Sequence, residues 1–257
     1  MRRLVYTAAT SWYRAFAPIF KWCVNYSYPE ADVRVEIISG IRPPFYAACL
    51  RFLQAPSQEY DEVYVTDIDM FHMPLSPGLF EYHEERMRKT GLCYSNSPRS
   101  GKEPCGPDRL TGLHFATQEW YDQTSVARVS ALQRLNDGDL GNGRFDDELM
   151  LMQICKDSGL EIPPREKLIK RHFGIHGGTV RCYENHTRNT RESQLRQRIT
   201  PDMATMWNQM VDEPGFQEAA RESCSMSPRV AFQLEQIELF TRKTSPVKNG
   251  NCFMRYS

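Results

Sequence analysis

Residues 62–71 read EVYVTDIDMF: a run of strand-forming residues, then Asp67 and Asp69 separated by one isoleucine, then more apolar residues. Val63, Tyr64, Val65 and Thr66 are β-branched or aromatic, the content of a strand buried inside a sheet. Two carboxylates one residue apart at the end of such a strand repel each other unless a cation lies between them. The stretch therefore sets two expectations: an α/β fold with residues 63–66 as a buried strand, and a metal ion at that strand's carboxyl end.

Working outward, residues 4–10 form a short strand pattern, and residues 11–25 place apolar side chains at helical spacing with Ser11 as N-cap. Residues 33–40 alternate and then run apolar into Gly40; residues 45–54 read as a helix whose start is marked by Pro43 and Pro44. The strand at 63–66 is thus third in a strand–helix series. Residues 77–89 predict a helix stopped by Gly91, and 92–95 a fourth strand. Such alternation favours a mostly parallel, Rossmann-like sheet with helices on both faces.

Residues 96–111, rich in Pro, Gly, Ser and charge, read as a mobile loop, 112–117 as a strand and 125–135 as a helix. A turn cluster at 137–143 precedes a helix over 146–158, ended by Gly159. Asp146, Asp147 and Glu148 fall in its first turn, where the helix dipole favours anions, so capping alone would account for them. Glycines make 170–181 a poor helix; it reads as an interrupted strand, and His172 and His176 are not the helical i, i+4 pair of metalloproteases. Beyond 185 the chain turns polar and helical, with Arg188, Arg191, Arg196 and Arg198 close together. Val230, Leu234, Ile237 and Phe240 form the stripe of a last amphipathic helix, read as core rather than membrane surface.

Composition narrows the class. Lys plus Arg and Asp plus Glu number 32 each, so no global field recruits nucleic acid. The eight cysteines lie far apart without a CxxC pair, which predicts reduced thiols and a cytoplasmic protein. No apolar run approaches the roughly 20 residues of a membrane span, although the basic residues after 185 leave room for peripheral membrane contact. The sequons at Asn25 and Asn185 carry no weight in a cytosolic chain.

In an open parallel sheet, ligands bind at the carboxyl ends of the strands. Mg2+ takes oxygen ligands, commonly one or two carboxylates together with substrate phosphates. Asp67 and Asp69 therefore read as a clamp for a metal and a diphosphate.

The run Tyr46-Ala47-Ala48-Cys49-Leu50-Arg51-Phe52-Leu53, followed by Tyr60-Asp61-Glu62-Val63-Tyr64-Val65-Thr66-Asp67-Ile68-Asp69, resembles the arginine-bearing helix, strand and DxD motif of glycosyltransferases of the GT-A fold. That resemblance, covering roughly residues 3–181, implies a catalytic domain over 1–185, with a nucleotide-sugar half at about 1–75 and an acceptor half at about 90–185. Residues 186–257 would be a helical extension packed on the same domain. It implies Mn2+ or Mg2+ on Asp67, Asp69 and a histidine, His172 or His176. Tyr6, Thr7, Ala8 and Tyr13 would lie beside the nucleotide base, with Arg51 on the donor phosphate or sugar. The loop carrying Gly174 and Gly177 would offer amides to the diphosphate. Asp147, next to Asp146, would be the base for the acceptor hydroxyl. The donor would be a UDP- or GDP-sugar, and the acceptor a glycan or a lipid-linked molecule. One departure stands out: Gly177-Gly178-Thr179 replaces the lysine-proline pair of related retaining enzymes, and inversion is favoured over retention. Two rival readings are a haloacid dehalogenase-type phosphatase, whose motif would want Thr or Val where Phe71 stands, and a carbohydrate-binding module without turnover.

Overall fold

The structure, a computed structural model, describes residues 1–40, 42–54, 59–99, 108–140, 146–164, 173–180 and 199–244. Its strands are β1 (Arg3–Ala9), β2 (Ala31–Ile37), β3 (Glu62–Val65), β4 (Met70–His72), β5 (Tyr94–Ser95), β6 (His114–Thr117) and β7 (Gly174–His176). Its helices are α1 (Ala17–Ser27), α2 (Pro44–Leu53), α3 (Leu79–Thr90), α4 (Gln118–Gln123), α5 (Ser125–Asp137), α6 (Asp146–Asp157), α7 (Pro201–Val211), α8 (Pro214–Met226) and α9 (Pro228–Thr244). They form two units interleaved along the chain: Met1–Ser11, Glu30–Asp67 and Pro77–Ile169 in the first, Trp12–Pro29, Ile68–Ser76 and Lys170–Ser257 in the second.

The first unit is an α/β layer built on a sheet of order β2-β1-β3-β6-β5. β1 pairs in parallel with both neighbours, Val5 opposite Val33 and Tyr64. Leu4, Val5, Tyr6, Val63, Tyr64 and Val65 are all buried, as two-sided burial of parallel strands requires. β6 departs from the expected parallel pattern, running antiparallel to both β3 and β5. The reason is local: among the described residues no crossover helix stands between β5 and β6, and an adjacent antiparallel partner needs none. α2 opens on Pro44 in its first turn, packs on β1, and buries Cys49, Leu50 and Phe52. α3 and α6 stop where expected: Gly91 and Gly159 adopt left-handed φ of 70° and 69°.

The second unit joins α1, β4, β7 and α7–α9. β4 and β7 form a two-stranded antiparallel ladder, Met70 opposite His176 and His72 opposite Gly174. Phe71 fills the centre, its ring 6.1 Å from that of Phe16 and 5.4 Å from that of Trp207. α1 packs on α8 and on β4, and the stripe Val230, Leu234, Ile237 and Phe240 of α9 is buried, as a core stripe should be. Helices of the carboxyl-terminal part thus pack with α1 and β4, which come from within residues 1–185. The expected boundary at residue 185 itself lies outside the described residues.

Three local expectations are corrected. The helix expected from Ser11 begins as an α-helix only at Ala17; Ser11–Phe16 is a 3-10 turn, and Ser11, at φ 55°, does not cap it. Pro18 occupies the first α-helical turn, where its missing N–H costs nothing. β2 runs from Ala31 to Ile37 rather than over 33–40. The segment expected to be a mobile loop over 96–111 is held at its two described ends, residues 100–107 lying outside the described residues: Arg99 and Arg109 form an antiparallel bridge, and the Asn96 side chain donates to Thr111 O at 3.0 Å and accepts from Thr111 N at 2.9 Å.

Among the described residues no helix is long and apolar enough to cross a membrane. Cys23, Cys49, Cys93, Cys155 and Cys224 are free thiols. Burial also pushes His72, His83 and His114 down to about 3. Below about pH 6.5 the unfolded chain protonates these imidazoles and the folded chain does not, so stability is fully present above that value and falls as pH drops towards 3. Urea unfolding at pH 7 and pH 5 should therefore show clear loss at pH 5, with proton uptake on unfolding approaching one per buried histidine; equal midpoints would refute neutral burial.

Candidate functional site

In the first unit, the exit of β3 is fixed from β1. Thr66 N donates to Tyr6 O at 3.0 Å, and Thr7 Oγ1 donates to Thr66 O at 2.8 Å. Asp67 follows directly, and its carboxylate accepts from Nη1 of Arg51. Arg51 leaves the last turn of α2, and its side chain is only 4% exposed. Its Nη2 donates to Oδ2 of Asp147, at the start of α6, at 3.1 Å. Burial opposes the guanidinium's charge, but the facing carboxylates of Asp67 and Asp147 outweigh it and hold the group's proton affinity above its usual value. Gly112 stands beside this bridge, where a Cβ would lie 2.8 Å from Arg51 Nη2.

The third acid of the cluster does different work. Glu148 is buried and accepts from Arg109 Nε at 2.7 Å and from Gly112 N at 3.2 Å, with Arg99 Nη1 at 3.4 Å. Burial is the main force raising its proton affinity, and Arg99 and Arg109 oppose it. Glu148 therefore ties the base of the 96–111 segment to α6, beside Asp146 and Asp147. Sequence reasoning placed all three acids in one helical turn and singled out Asp147 as the base; it gave Glu148 no partner, although Arg99 and Arg109 in the preceding segment offered one.

In the second unit, Asp69 enters β4 with its carboxylate buried, and His176 closes β7. The β4–β7 register brings Nε2 of His176 to 3.1 Å from Oδ1 of Asp69. Glycine at 174 is what lets the strands meet: a Cβ there would lie 2.1 Å from Phe71 O. Gly177 N donates to Asp69 O at 2.7 Å, which fixes the Asp69 backbone and commits an amide that the resemblance assigned to a diphosphate.

The separation of Asp69 and His176 suits two arrangements. It is the length of a hydrogen bond, and it is also the spacing of two cis ligands: at about 2.1 Å from an ion and 90° apart they stand about 3.0 Å from each other. Asp67 is two residues from Asp69, so the backbone alone keeps their Cα atoms within about 7 Å. A carboxylate and an imidazole placed as Asp69 and His176 are donors that suit Mn2+ or Mg2+, and each has a ligand atom to give.

Of the other expected residues, Tyr6, Thr7 and Ala8 lie in β1 with buried side chains, the Tyr6 hydroxyl pushed up to about 12 chiefly by burial. Tyr13 belongs to the second unit, half-buried and stacked on Trp12 with ring centroids 4.1 Å apart. Arg229 lies over the other partner, 5.0 Å from the Trp12 ring. Sequence reasoning passed over Trp12, although an aromatic pair directly after a strand was a signal. Asp146 is half-exposed at the start of α6. His172 and the arginines at 188–198 lie outside the described residues. Comparison with models of protein families, with curated proteins and with solved structures yields no match.

Proposed function

We propose that this chain is a divalent-cation-dependent glycosyltransferase of GT-A type, moving a sugar from a UDP- or GDP-sugar to an acceptor hydroxyl in glycan synthesis. The observation that carries the reading is the meeting of Asp69 and His176 across the β4–β7 ladder, in a chain where Asp67 follows the preceding strand by two residues. A buried carboxylate facing an imidazole, with a second carboxylate two residues away, is a donor set that draws further positive charge. A bound Mn2+ or Mg2+ supplies that charge and, as a Lewis acid, stabilises negative charge on a departing diphosphate. Asp67, Asp69 and His176 hold the cation. Asp147, at the start of α6, takes the proton of the acceptor hydroxyl, and inversion at the anomeric carbon is the favoured outcome. The acceptor is a glycan or a lipid-linked molecule, and free thiols suit a cytoplasmic setting.

The test is a screen of nucleotide sugars with Mn2+ or with EDTA, read by released nucleotide, beside calorimetry of UDP and GDP. The expected result is binding and release with metal and neither with EDTA. Hydrolysis of a generic phosphomonoester without use of any sugar nucleotide would instead favour the phosphatase reading. Binding of free glycans alone, with no turnover, would favour a carbohydrate-binding module.

A further inference from the structure

We infer that Arg51 is a positioning residue that sets the spacing and orientation of Asp67 and Asp147, rather than a group that grips the donor; the inference builds on the glycosyltransferase reading. Three observations carry it. Arg51's side chain is 4% exposed, leaving little of the guanidinium to meet an incoming sugar or phosphate. Both terminal nitrogens are committed, Nη1 to Asp67 and Nη2 to Asp147 at 3.1 Å. The remaining Nε is buried and has no hydrogen-bond partner among the described residues, so the hydrogen bonds that orient the fork there are those to the two acids.

The chemistry of the fork explains why arginine stands here. A guanidinium is planar, always charged and holds its donors at fixed separation, so it imposes one spacing on the two carboxylates it bridges. A lysine ammonium is a point charge on a flexible stem and imposes none. The two acids arrive from separate elements, the end of β3 and the start of α6, and α2 delivers the arginine to both. Gly112 completes the arrangement by leaving room: any β-carbon there would press on Nη2 at 2.8 Å. In the reaction proposed above, Asp67 faces the cation and Asp147 the acceptor. Arg51 therefore ties the geometry of bond breaking to that of proton removal.

Two variants test this. Arg51→Lys keeps the charge and loses the fork; Gly112→Ala keeps every charge and displaces the fork. Both should lower kcat by about 10²-fold, beyond whatever the displaced Asp67 adds to the donor KM, because misplacement of about 1 Å costs that much. Thermal unfolding of Gly112→Ala close to the parent's shows that the loss is not unfolding. A raised donor KM with unchanged kcat in Arg51→Lys would make Arg51 a donor ligand and overturn the inference, as would parental kinetics in both variants. If the parent itself neither binds nor uses a sugar nucleotide, the glycosyltransferase reading fails, and crystal structures of the parent and of Gly112→Ala decide the spacing alone. Displaced Asp67 or Asp147 carboxylates in the variant support it; carboxylates in their parental places overturn it.

Discussion

Replacing Asp69 with asparagine is expected to weaken Mn2+-dependent UDP binding by at least about 10²-fold, while the protein stays folded. The two side chains have the same shape, so the change removes a charge and little else. Asp69 is buried and faces His176 at 3.1 Å, so the carboxylate acts where water screens least. Losing one anionic ligand of a divalent ion in such a place costs on the order of 3 kcal/mol, which is about two decades in affinity. Without metal, the variant should unfold close to the parent's temperature, since the asparagine side chain still offers His176 a hydrogen-bonding partner. Calorimetry with Mn2+ and UDP, and a melting curve in EDTA, make the two measurements. Parental affinity in the variant would remove Asp69 from the metal centre.

The second large effect is on stability. Gly174→Ala should cost about 3 kcal/mol or more and disrupt the β4–β7 ladder. The added carbon would sit 2.1 Å from Phe71 O, 2.7 Å from Phe71 C and 2.9 Å from His72 Cα. All three are backbone atoms of the paired strand, which cannot swing aside as a side-chain tip could. Moving β7 away also carries His176 from Asp69, so metal binding should fall together with stability. Gly78→Ala is the control, because a Cβ there meets nothing within 4 Å and should cost less than about 1 kcal/mol. Urea unfolding of both variants checks the pair; equal midpoints would mean that the strands part more readily than their contacts imply.

These residues also mark how far the sequence could be read. The strand before Asp67, the arginine-bearing helix, the acid-led helix at α6 and the glycine stops at 91 and 159 were legible, because each depends on side-chain types within one local run. β4 and β7 were not. Each is a three-residue strand, too short to show a period, and its partner lies about a hundred residues away in the chain. For the same reason, nothing local distinguished His176 as the partner of Asp69. Arg51 was found and read as a contact to donor phosphate or sugar, while only the packing revealed two carboxylates on its fork. The antiparallel run of β6 was hidden because its four residues look the same in either direction. The start of α1 was misread because apolar spacing over 11–16 suits a 3-10 turn as well as an α-helix.

The clasp formed by Asn96 with Thr111, and the bridge between Arg99 and Arg109, have a consequence for how such a protein can diversify. Both ends of the intervening segment are anchored to the sheet side and, through Glu148, to α6. Lengthening an anchored loop adds only a slowly growing entropy cost, about 0.6 kcal/mol for each doubling. Nature could therefore exchange the nine residues between Arg99 and Arg109 for inserts of other lengths and retarget the molecule, while the scaffold beneath keeps its acids in register.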